Sequence, residues 1–209
     1  RYFGGGLFAK WFFGSELNNY IHLTGRVGQS KSEYDTNVDS GSYNKAAVVE
    51  NFTLNRFYYG ATLEIGHKFD NVWEDGALEV YARGAFTNVA KADGVQIGSD
   101  KFDIATIDSL IARGGLRYLE KFSKTWTGFI DIAFEREFDG EADGKSSGFT
   151  ESFAQSYLAP SLKGNSGVAA VGVTYETNGR QGFVVNIKVQ GSAGKNRGYG
   201  GGFDVQYKF

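Results

Sequence analysis

Apolar and polar residues alternate with period two along most of this chain, in stretches of about ten residues set apart by turn signals. The clearest stretch is 126–138. Trp126, Gly128, Ile130, Ile132, Phe134 and Phe138 fall on one face, and Thr127, Phe129, Asp131, Ala133, Glu135 and Glu137 on the other. Arg136 interrupts the apolar face near one end, where its aliphatic stem can lie on apolar surface while the guanidinium reaches water. In 57–69, Phe57, Tyr59, Ala61, Leu63, Ile65 and Phe69 oppose Tyr58, Thr62, Glu64 and Lys68. In 78–91, Leu78, Val80, Ala82 and Phe86 oppose Glu79, Tyr81, Arg83, Thr87 and Lys91. In 183–192, Phe183, Val185, Ile187 and Val189 oppose Asn186, Lys188, Gln190 and Ser192. The last stretch sets Tyr199, Phe203, Val205, Tyr207 and Phe209 against Asp204, Gln206 and Lys208. Weaker versions occupy about 3–13, 20–32, 105–120 and 167–176, which makes nine predicted strands and no helix.

The connections carry a second pattern. Short ones fall at about 14–19, 70–76, 121–125 and 177–182; longer ones, rich in Gly, Ser, Asn and Asp, fall at about 33–54, 92–103 and 139–163. Short and long alternate until the brief 194–198 link before the final strand. A soluble meander has no reason to alternate loop length, whereas an outer-membrane barrel has tight periplasmic turns and longer extracellular loops. The expected fold is therefore all-β: an antiparallel up-and-down outer-membrane β-barrel, one domain over 1–209, with long loops extracellular and the C-terminus periplasmic.

Each stretch is long enough to cross the hydrocarbon layer when tilted. Backbone groups there must pair within the protein, so the sheet is expected to close on itself. Nine strands is an odd number, and a closed antiparallel barrel needs an even one, so at least one strand is expected upstream. Aromatic residues gather near strand ends, at Trp11, Phe12 and Phe13, Phe57 to Tyr59, Phe69, Trp73, Trp126, Phe138, Tyr199, Tyr207 and Phe209, as two interfacial girdles require.

Composition adds less. With 30 Gly, 16% aromatics and one Pro, the chain suits glycine-rich strands with amphipathic ends. The net charge of −2, with Lys and Arg scattered singly, gives no reason to expect nucleic acid as a partner. The absence of Cys removes disulfides and thiolate metal sites, and the absence of Met with no leader pattern suggests a processed or cut N-terminus.

The polar face carries Lys10, His22, Arg26, Glu64, Lys68, Glu79, Arg83, Arg113, Arg117, Asp131, Glu135, Lys188 and Asp204. These are the candidate lumen-facing residues; both signs are present, so pairing across the lumen is expected. No GxSxG, HExxH, Walker or CxxC pattern occurs, and His22 and His67 stand 45 positions apart. Neither a catalytic centre, a metal site nor a cofactor is expected. The acidic run Glu135, Glu137, Asp139, Glu141 and Asp143 fits a solvated loop better than a calcium site.

The run Tyr59-Gly-Ala-Thr-Leu-Glu-Ile-Gly-His-Lys-Phe-Asp70 resembles a strand of the β-domains of monomeric autotransporters, the translocators of type V secretion. Arg113-Gly-Gly-Leu-Arg-Tyr-Leu, the strand Gly128 to Gly140, and the closing Gly201-Gly-Phe-Asp-Val-Gln-Tyr-Lys-Phe209 follow in that family's order. The resemblance implies a barrel of about 12 strands, of which about nine are present here. It implies a translocator and anchor that delivers an N-terminal passenger to the surface of a Gram-negative cell. The implied partners are outer-membrane lipids, the barrel-assembly machinery (BAM), and the protein's own passenger or linker in the pore. Phe203, Val205, Tyr207 and Phe209 form the expected C-terminal assembly signal. A passive outer-membrane channel or porin-like barrel, and a soluble ligand-binding barrel, remain open as alternatives on the sequence.

Overall fold

The structure is a computed structural model that describes residues 1–38, 48–73, 75–97, 100–141, 144–147, 155–157, 161–177 and 182–208. Nine long strands form one antiparallel sheet: β1 (Tyr2–Phe13), β2 (Asn19–Val38), β3 (Val48–Phe69), β4 (Gly76–Val89), β7 (Ile107–Lys121), β8 (Trp126–Glu137), β11 (Gly164–Glu176), β12 (Gly182–Gly194) and β13 (Gly198–Lys208). Each pairs with its neighbours in chain order, up and down, and the sheet curls into a half-barrel. The curl follows from the period-two pattern. Apolar side chains such as Leu63, Ile132, Phe134 and Val189 stand exposed on the outside, while polar ones on the opposite face are buried. That inversion of an aqueous protein's usual distribution is the fold's main feature.

The edges are β1 and β13. They run the same way, from the long-loop end to the short-turn end, so they cannot pair with each other as antiparallel neighbours. Both faces of β1 are exposed along nearly its whole length. Its side chains alternate differently from the simple reading: Phe12 pairs with Tyr20 and its ring lies 6.4 Å from that of Tyr20, on the polar face rather than in the outer girdle. β1 is aromatic on both faces, so its pattern carries no contrast by which the two could be told apart.

Three of the long connections are more ordered than their composition suggests. β2 and β3 stay in register as far as Val38 opposite Val48, so most of 33–54 is hairpin. Val38, Val48, Val49, Thr36 and Thr53 supply β-branched residues there, which fit a pleated ladder. The other two long connections contribute β5 (Ala92–Ile97), β6 (Asp100–Ile104), β9 (Gly144–Ser147) and β10 (Gln155–Tyr157). These four form a second small sheet in the order β10-β9-β6-β5 at the long-loop end.

Aromatic pairs mark both rims of the outer face. At the short-turn end, Trp126 packs on Tyr175 at 4.9 Å, Phe183 on Tyr207 at 5.1 Å and Trp73 on Tyr118 at 5.7 Å. At the loop end, Tyr59 lies 6.3 Å from Phe57 and 6.0 Å from Phe86.

Inside the curl, one row across the sheet reads Tyr20, Gly66, Tyr81, Gly115 in register. Each tyrosine ring lies over the glycine of the next strand; a Cβ on Gly66 would meet the Tyr20 ring at 2.5 Å, and one on Gly115 the Tyr81 ring at 2.7 Å. The glycines are there for close approach. Gly66→Ala should therefore destabilise the sheet by about 1–3 kcal/mol, the cost of overpacking. Adding Tyr20→Ala should return part of that loss, which urea titration of the folded sheet would measure.

Candidate functional site

The registers that stack the tyrosines also stack charge beside them. One row across the sheet runs Lys10, His22, Glu64, Arg83, Arg113, Glu135, Ser166. On the other side of the tyrosines, a parallel row runs Lys68, Glu79, Arg117, Asp131, Ala170, Gln190. Because strand neighbours on one face sit about 5 Å apart, each acid falls within reach of an arginine on the next strand.

Three groups result. Glu64, buried to 4% exposure, accepts from the Tyr20 hydroxyl at 2.9 Å and from Arg83 Nε at 2.6 Å, and Arg83 Nη2 closes the pair. Arg117 bridges two strands: its Nη1 lies 2.8 Å from Glu79 and its Nη2 2.8 Å from Asp131. The Tyr81 hydroxyl donates to the other Asp131 oxygen at 2.8 Å, and the Arg117 guanidinium stands 5.1 Å from the Tyr81 ring centre. Arg113 donates through Nε and Nη2 to one Glu135 oxygen, at 2.9 and 2.5 Å. Arginine suits these sites because its planar fork donates two hydrogen bonds at once, to a single acid at Arg83 and Arg113 and to two acids at Arg117. Among the described residues no buried side-chain polar atom lacks a partner.

Other expected members of the polar face lie apart from these groups. Lys10 holds its ammonium 4.1 Å from the Tyr20 ring centre, and Arg26 donates to Thr87 at 3.1 Å. Lys68 pairs with Asp70 at 2.5 Å, just past the end of β3. Lys188 is exposed. Asp204 accepts from Asn186 and Gln206 near the β13 edge. Of the C-terminal set, Phe203, Val205 and Tyr207 are exposed, and Phe209 lies outside the described residues. Two participants, Tyr20 and Tyr81, escape a search for charge, and Glu137, on the polar face of its strand, accepts from Ser109 and the Leu110 backbone. Tyrosine on a polar strand face was the available signal for the first two.

The polar wall is hydrophilic, and its buried charges are cross-linked between neighbouring strands. Arg83, Arg113 and Arg117 are committed to Glu64, Glu135, Glu79 and Asp131. At the loop end, hydrogen bonds from Ser161 and Lys163 hold the Glu141 carboxyl below its ordinary range, and Lys163 lies 3.2 Å from it.

A family model described as Autotransporter beta-domain matches residues 1–188 of the 209. No curated protein matches the chain.

Proposed function

The chain belongs to the autotransporter β-domain family, and on that premise we propose that the concave polar wall is the lumen through which this outer-membrane translocator passes and then holds its own passenger or linker segment. The observation that carries the reading is the pairing of opposite faces: an exposed apolar outside and an inside whose buried acids Glu64, Glu79, Asp131 and Glu135 are each paired with an arginine on a neighbouring strand. A wall of paired charge stays wetted and presents no unsatisfied group to which an extended chain would bind tightly.

The short-turn end then faces the periplasm and the long-loop end, with its small sheet, faces outward. Among the described residues β13 hydrogen-bonds to β12 alone and forms one edge of the sheet. An open edge accepts another strand, which supports recognition of β13 by the barrel-assembly machinery through strand addition. The exposed Phe203, Val205 and Tyr207 would supply the alternating side-chain contacts. Deleting Phe209 is expected to slow assembly into the membrane, measured as the heat-modifiable fraction after a pulse of synthesis; assembly at the parent rate would argue against the signal.

The lumen assignment is tested with photo-crosslinking residues on adjacent positions of one strand during secretion. Probes at Thr62 and Ala170, on the polar face, are expected to capture the passenger segment. Probes at Leu63 and Val171, one residue further along, are expected to capture none. Capture from the outer positions, or from neither pair, would contradict it.

A further inference from the structure

On the outer face at the short-turn end, a groove of about 760 Å³ opens among Trp73, Tyr118, Glu120, Phe122, Ile130 and Val171. It is built around a gap. Glu120 points outward between Gly76 on one neighbouring strand and Gly128 on the other, so neither residue directly opposite it contributes a side chain. Aromatic rings fold in over both glycines. A Cβ at Gly128 would meet the Phe122 ring at 2.6 Å, and one at Gly76 would meet the Tyr118 ring carbon Cε2 at 2.8 Å. Trp73 completes the enclosure, edge-on to Tyr118. Its backbone sits at φ 56°, a left-handed conformation that a bulky residue adopts only at a cost. Trp73 is nonetheless 74% exposed, its ring held by the one edge-on contact with Tyr118 among the described residues.

The carboxylate has one partner in this setting, the Tyr118 hydroxyl, and among the described residues no cation pairs with it. An acid on a membrane-facing surface needs a counter-charge or water. Three rings around an acid are suited to an ammonium, which gains from the ring faces as well as from the carboxylate. Below the acid, Ile130 and Val171 give an apolar floor that continues towards the middle of the wall.

We propose that this groove binds a phospholipid with a primary-ammonium headgroup, its ammonium on Glu120 between the rings and an acyl chain along Ile130 and Val171. The inference rests on the membrane-spanning reading and on the short turns facing the phospholipid leaflet. The site would fix the depth of the turn end of β7 and β8 in the bilayer.

Trp73 is the probe. Trp11→Phe and Trp126→Phe leave it as the sole tryptophan. The protein, purified from membranes, is reconstituted into glycerol-headed lipid containing a minor fraction of chain-brominated lipid with either an ethanolamine or a glycerol headgroup. The ethanolamine lipid is expected to be enriched at Trp73 by about tenfold over the glycerol lipid, as one charge-assisted hydrogen bond warrants. Glu120→Gln should abolish the preference. Equal quenching by both brominated lipids overturns the site, as does a preference that survives Glu120→Gln. Quenching by neither overturns the membrane-spanning reading as well, which separates the two failures. Should Glu120→Gln fail to fold, the headgroup comparison in the Glu120 protein decides alone.

Discussion

Arg117→Met is expected to be the most damaging single substitution on the polar face, lowering stability by about 3 kcal/mol. Arg117 is the sole guanidinium bridging Glu79 and Asp131, each of which is only 7% exposed. Methionine fills much of the same volume but leaves two buried carboxylates with no cation between them. The loss thus comes from the stranded acids more than from the missing attraction. A triple variant that adds Glu79→Gln and Asp131→Asn removes the charges that are stranded and should recover most of the stability. Unfolding in urea, followed by the loss of heat-modifiable mobility, gives both numbers. A triple variant as unstable as Arg117→Met alone would show that packing, and not charge, sets the effect.

Ile132→Arg should cost about 2–4 kcal/mol in a bilayer, the price of a cation at the lipid-facing midplane of a barrel strand. Ile132 stands near the middle of β8, on the outer face, 65% exposed. In water a substitution at so exposed a position changes stability by no more than about 0.5 kcal/mol. The size of the effect therefore reports what solvent surrounds that face. Ala170→Lys is the matched control: it lies next to Asp131 in register on the polar face, where a cation has water and an acid to meet. It should change stability by no more than about 0.5 kcal/mol in the same bilayer.

Period two was enough to assign faces where the two faces differ in chemistry. Asp131, Ala133 and Glu135 against Ile130, Ile132 and Phe134 is such a case, and burial alternates with that division from Ile130 to Glu137. β1 has no such contrast, so period two leaves its faces unassigned, and Phe12 meets Tyr20 on the polar face. The strands of the small sheet are between three and six residues long. They are too short to show a period, and Lys101 finds its partner Ser147 far along the chain. The sequence could place Glu79, Arg117 and Asp131 on one face but could not bring them together, because register between strands depends on turn geometry. The same holds for Tyr20 over Gly66 and Tyr81 over Gly115, where each half is unremarkable until the rung that joins them is known. Trp73 was legible as a girdle aromatic, while its left-handed backbone and the gap around Glu120 were not.

The most direct measurement is solvent contact along one strand. The chain has no cysteine, so single cysteines placed in turn from Ile130 to Phe134 carry unique nitroxide labels. In bilayers, labels at 130, 132 and 134 should collide preferentially with dissolved oxygen, and those at 131 and 133 with a water-soluble nickel chelate. Opposite alternation, or five labels that meet both quenchers alike, would mean that the apolar side chains of this wall do not face lipid.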